Sequence, residues 1–65
     1  MKNNNISANS YLRSGKVKFK LKNYEDAIEE YTKALSINPE YIEALYERGL
    51  AKIEILDFLG AIEDY

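Results

Sequence analysis

Apolar residues recur at three- and four-residue spacings through most of this chain. The clearest instance is Tyr24–Pro39, YEDAIEEYTKALSINP. Ala27, Ile28, Tyr31, Ala34 and Leu35 fall on one face of a helical period, and Glu25, Asp26, Glu29, Glu30 and Lys33 fill the other. That pattern predicts one amphipathic helix. Acids in its first turns complement the positive end of the helix dipole, and Asn23 stands where a cap is needed. Asn38-Pro39 ends it, because the residue before a proline is pushed out of helical geometry. Ala27 and Ala34 are small residues on the apolar face, which predicts a second helix packed close against this one.

A first helix is predicted from Ala8 to Leu21, with Ser7 or Asn9 as cap and Lys22-Asn23 as the turn that follows. Its middle, Lys16-Val17-Lys18-Phe19-Lys20-Leu21-Lys22, alternates charged and apolar residues, which taken alone is the period of a strand. No turn signal starts a hairpin there and no second strand is visible. A lone strand is unstable, so the helical reading stands. A third helix is predicted from Glu40 to Ile55, since Pro39 suits a helix start. Ala44, Leu45, Leu50, Ile53 and Leu56 supply its apolar positions more than halfway round, which predicts neighbours on two sides. Leu56-Asp57 is read as the next turn, with a fourth helix starting near Phe58. Residues 1–7 are polar and predict a flexible tail.

The pattern repeats. A shift of thirty-four residues brings Ala27 onto Ala61, Ile28 onto Ile62, Glu29 onto Glu63 and Tyr31 onto Tyr65. The same shift brings Gly15 onto Gly49, Lys18 onto Lys52, Leu21 onto Ile55 and Tyr24 onto Phe58. A fixed period of this size marks a helical repeat array. A glycine inside a helix costs roughly 1 kcal/mol against alanine, so Gly15 and Gly49 each predict a close helix–helix approach.

Ala27-x3-Tyr31, then Ala34, then Pro39, with Gly15 upstream, resembles the tetratricopeptide repeat family. The resemblance covers 8–41 as one full repeat and 42–65 as part of a second. It implies an all-α fold of antiparallel helix-turn-helix repeats stacked as an α-solenoid, truncated in the second repeat. The first helices depart from the family pattern at Tyr11 and Leu45, at Ser14 and Arg48, and at Lys18 and Lys52, which implies weaker packing of those helices.

Composition narrows the chemistry. Sixty-five residues make one small domain at most, and a chain 46% hydrophobic is globular. It has no cysteine and no histidine, which removes disulfides, thiolate metal sites and the commonest general base. The N-terminus has no signal-peptide core and no run is long enough to span a membrane, so a cytoplasmic location is expected. Net charge is −2, split as +3 over residues 1–33 and −5 over 34–65. The plain reading of that split is solvated surface, and the sharper alternative is that successive repeats stack with complementary faces.

No enzyme is expected. Glu25–Asp26, Glu29–Glu30 and Glu63–Asp64 are adjacent pairs that diverge on a helix, and a solvated face explains them. Tyr24, Tyr31, Tyr46 and Tyr65 fall at apolar-period positions, where packing explains them. Glu43–Glu47 alone is a weak cation site. No phosphate loop or nucleophile motif is present, so no metal or other cofactor is expected. Lys16, Lys18, Lys20 and Lys22 spread over half a helix, and the chain is acidic overall, so nucleic acid is not an expected partner.

What the resemblance implies instead is a scaffold whose first helices line a concave groove for a peptide or partner helix. The matching positions are Asn9, Leu12, Arg13, Lys16, Phe19 and Lys20, then Glu43, Tyr46, Glu47, Leu50, Ile53 and Glu54. A groove basic at one end and acidic or apolar at the other suits an amphipathic segment carrying both signs of charge. The family members that clamp the acidic tail of heat-shock chaperones would use the positions of Leu12, Lys16 and Glu47, and Glu47 would repel a carboxylate. An alternative is self-association, with copies exchanging helices or stacking end to end through Ile53, Phe58, Ile62 and Tyr65. The bland alternative is that these positions are ordinary surface and inter-repeat contacts.

Overall fold

The computed structural model describes residues 7–64, with side chains for 7–56. Three helices make up this span: α1 (Ala8–Lys20), α2 (Tyr24–Ile37) and α3 (Ile42–Asp64). The charged–apolar alternation around Phe19 is helical: Phe19 packs against Tyr24, while Val17 and Leu21 stay exposed on the other side of α1. The polar stretch 1–6 lies outside the described residues.

Ser7 caps α1. Its Oγ accepts from the backbone N–H of Ser10 at 3.2 Å, which satisfies one of the N–H groups that a helix start leaves unpaired. At the other end the chain turns through a Schellman arrangement. The Asn23 N–H donates to the Lys18 carbonyl at 2.9 Å, and the Lys22 N–H donates to Phe19 at 2.9 Å. This turn requires a left-handed residue, and Lys22 supplies it with φ 66°. Asn23 is the N-cap residue of α2 but makes no side-chain cap bond, contrary to the sequence expectation. Glu25 and Asp26 remain at the positive end of the α2 dipole.

α1 and α2 pack most intimately, and α3 lies mainly against α2, touching α1 only lightly. The core is Leu12, Ala27, Tyr31, Ala34, Ala44 and Ala51. Four of the six are alanines, so the helix axes come close and one large side chain, Tyr31, fills the centre. Its ring lies over Gly15. A Cβ at Gly15 would stand 2.5 Å from Tyr31 Cε1 and 2.7 Å from Cδ1. The close approach expected at Gly15 is therefore real. The one expected at Gly49 is not found among the described residues, where a Cβ there meets nothing within 4 Å.

Residues 38–41 turn the chain from α2 into α3. The Asn38 side-chain oxygen accepts from the Glu40 N–H at 3.2 Å, and the Tyr41 N–H donates to the Asn38 carbonyl at 3.1 Å. This turn holds Pro39 and Glu40 outside the helix, so α3 starts at Ile42 and not at Glu40. The larger correction is at its far end. The turn expected at Leu56-Asp57 does not form, and α3 runs unbroken to Asp64. By the thirty-four-residue shift Leu56 matches Lys22. Turning there would put a leucine in the left-handed region, at about 1–2 kcal/mol, and would break helical hydrogen bonds in a stretch free of proline. The expected fourth helix is thus the end of α3, and the side chains expected at Phe58, Ile62 and Tyr65 lie outside the described residues.

Candidate interaction surface

α1 touches α3 lightly, and a side-chain bond spans the two. Lys16 Nζ donates to Glu43 Oε2 at 2.9 Å. That hydrogen bond and the Glu43 charge raise the Lys16 pKa, with Glu47 adding to the effect. The basic first repeat and acidic second repeat therefore meet with complementary signs at this point. A second link joins α1 to the turn just before α3, where Tyr41 Oη donates to Asn9 Oδ1 at 3.3 Å.

The remaining groove positions divide into two groups. Arg13 and Lys20 on α1, and Glu54 on α3, are exposed, while Glu47 and Leu50 are half-buried. With Asn9, Lys16 and Glu43 they are the groove positions that stay open or half-open to solvent, a set that is charged or polar apart from Leu50. Leu12 and Phe19 do not belong to it. Leu12 is 3% exposed, in the core between helices, and Phe19 packs edge-on against the Tyr24 ring with centroids 5.2 Å apart. Tyr46 and Ile53 are their counterparts by the repeat shift and lie bare on α3, Tyr46 at 64% exposure. These four positions form a packing stripe that is covered in α1 and uncovered in α3.

Three features of this region were not foreseen. Arg48, at a position where the family pattern is apolar, donates to Thr32 Oγ1 at 3.2 Å and ties α3 to α2. Lys33 sits over the Tyr11 ring, 5.7 Å from its centroid. The Tyr31 hydroxyl is buried without a hydrogen-bond partner among the described residues. Burial, and secondly the Glu47 charge, push its pKa up to about 12. The apolar period located the Tyr31 ring but carries no signal for the fate of its hydroxyl. Among the described residues no helix is long and apolar enough to cross a membrane.

The family model described as TPR repeat matches residues 15–54. The chain is 43% identical over 54 residues to a protein named DnaJ protein P58IPK homolog from Arabidopsis thaliana, covering 83% of this chain and 11% of that protein. It is 38% identical over 64 residues to the mouse DnaJ homolog subfamily C member 7, covering 95% of this chain and 13% of the other. A protein named serine/threonine-protein phosphatase T from Aspergillus oryzae is 41% identical over 46 residues, 71% of this chain and 10% of that one. The chain thus spans about a tenth of the length of these relatives. No solved structure matches it.

Proposed function

Because the chain belongs to the tetratricopeptide repeat family, we propose that it is a protein–protein interaction module whose α1–α3 groove takes a peptide or partner helix. Family members of this kind mediate contacts between proteins. The finer assignment rests on one observation, the Lys16–Glu43 bond that sets a basic helix beside an acidic one. Arg13 and Lys20 stay exposed on one wall, with Glu54 exposed and Glu47 partly so on the other. A segment with an acidic edge and a basic edge fits both walls at once. The same segment type occurs in relatives named as DnaJ proteins and in one named as a phosphatase, which favours a binding part over a catalytic one. A purely acidic tail fits poorly, because Lys16 is already engaged by Glu43 and Glu47 faces the same groove.

Fluorescence anisotropy with three labelled helical peptides, acidic, basic and mixed in charge, tests this reading. The mixed peptide is expected to bind best, and Lys20→Glu combined with Glu54→Lys is expected to weaken it. Equal binding of all three, or binding indifferent to that double change, would contradict the groove.

A further inference from the structure

α3 carries the acidic wall of the groove, Glu43, Glu47 and Glu54, and few contacts hold that helix in rotation. The bonds from α1 reach Tyr41 and Glu43, at the start of α3. The Lys16–Glu43 pair is solvent-exposed and therefore weak. The main neighbour of α3 is α2. Among the described residues the side chains that α3 buries fully are Ala44 and Ala51. An alanine presents one methyl group and no rotamer. Two such contacts let the axes come close but do little to stop one helix turning or sliding on the other.

Arg48 lies on the same face, between Ala44 and Ala51, and is half-buried there. Its Nη1 donates to Thr32 Oγ1 at 3.2 Å. Beyond Glu43 this is the one side-chain hydrogen bond from α3 to another helix among the described residues. A guanidinium is planar and its N–H directions are fixed, so the bond defines an angle as well as a distance. Successive helix residues point about 100° apart, and Glu47 directly precedes Arg48. Fixing Arg48 on α2 therefore fixes where Glu47 points, and with it Glu54, further along the same helix. We propose that Arg48 is the positioning residue of the groove: its bond to Thr32 selects one rotation and register of α3 and so places the acidic wall. A polar contact in an apolar seam can set register without adding stability. The effect on binding rests on the groove reading above, whereas the effect on α3 does not.

The chain has no cysteine, so nitroxides on Ser36→Cys in α2 and Lys52→Cys in α3 report the placement of α3 without any ligand. Both positions are exposed. The labelled chain is expected to give one narrow separation. Arg48→Met keeps the stem and loses the donor, and Thr32→Val keeps the shape and loses the acceptor. Each is expected to add a second population, displaced by up to about 5 Å, one helical turn. The double variant should add no more than either change alone. Binding of the mixed-charge peptide should fall about two- to tenfold in all three, the bias that one hydrogen bond gives to one placement. Arg48→Lys, which keeps a donor without the fork, should recover part of both signals. The urea midpoint of the double variant should stay in place, because exchanging both partners for apolar groups of like shape is near neutral. An unchanged label separation in Arg48→Met would overturn the proposal. So would a double variant that regains the native separation and affinity, since the bond would then matter for stability alone. Labels that shift as expected in a chain that binds no peptide would sink the groove and leave the placement of α3 by Arg48 standing.

Discussion

Gly15 and Gly49 occupy the same place in two copies of one pattern, and the structure treats them oppositely. At Gly15 the aromatic ring of Tyr31 comes so close that a methyl group would collide with it. At Gly49 no described residue comes within 4 Å of the corresponding position. The surrounding residues follow suit: Leu12 is buried while Tyr46 is bare, and Phe19 is packed while Ile53 is half exposed. What separates the two regions is a turn. Lys22 bends the chain back and lays α2 on α1, whereas Leu56 stays in a helix that continues outward. A repeat pattern therefore specifies which face must be covered. It does not by itself supply the cover.

Truncation of the central ring should show the largest difference between the regions. Tyr31→Ala is expected to cost about 3–5 kcal/mol, enough to unfold a domain this small. Tyr46→Ala, at the exposed place equivalent to Leu12, should cost little in dilute solution. Urea unfolding followed by circular dichroism at 222 nm measures both. A large loss from Tyr46→Ala would mean that the outer face of α3 is already covered.

The buried hydroxyl gives a pH signature to the covered region alone. Because the folded-state pKa of Tyr31 is raised to about 12 from 10.0, the folded protein holds a proton that the unfolded chain releases. Its stability contribution is complete below pH 10 and is lost as pH rises towards 12. Tyr31→Phe should remove that part of the alkaline loss. It should also match or exceed the native stability at neutral pH, since an unpartnered buried hydroxyl is costly. Unfolding curves at pH 7 and pH 11 for the two proteins give the comparison.

Smaller effects are expected at the turn and across the groove. Lys22→Gly should stabilise the α1–α2 hairpin by about 0.5–1 kcal/mol, by relieving the left-handed strain at Lys22. A destabilised hairpin would show that the lysine side chain matters more than its backbone. Lys16→Met should have the smallest effect on folding, because the Lys16–Glu43 pair lies at the solvent-exposed surface. Any loss should vanish in 1 M salt, where such pairs are screened. A loss that persists there would show that the lysine stem, and not its charge, joins α1 to α3.

Much of this was legible in the spacing of residues. The period of three and four gave α2 and its buried Ala27, Tyr31 and Ala34. The thirty-four-residue shift gave the family and the meaning of Gly15. The groove was only partly legible. Leu12 and Phe19 look like groove residues by family position, but their burial depends on where α2 and α3 settle, which no single-residue signal reports. The continuity of α3 was also hidden. Leu56-Asp57 carries the polar, cap-like residue of a turn, while the strain of a left-handed leucine appears only once the geometry at Lys22 is known. Asn23 illustrates the reverse: its residue type signals a cap for α2, but its side chain makes no cap bond and its backbone N–H closes the end of α1 on Lys18 instead.

The most direct test of the contrast is one pair of unfolding curves, for Gly15→Ala and Gly49→Ala, at a concentration low enough to hold the chain monomeric. Gly15→Ala is expected to destabilise by about 1–3 kcal/mol, because the methyl meets the Tyr31 ring. Gly49→Ala is expected to stabilise by up to about 1 kcal/mol, because alanine is the better helix former and nothing stands in its way. Opposite signs would confirm that one pattern has produced a filled cradle and an empty one. Two losses of similar size would contradict it, and would mean that the face around Gly49 is covered within a single chain.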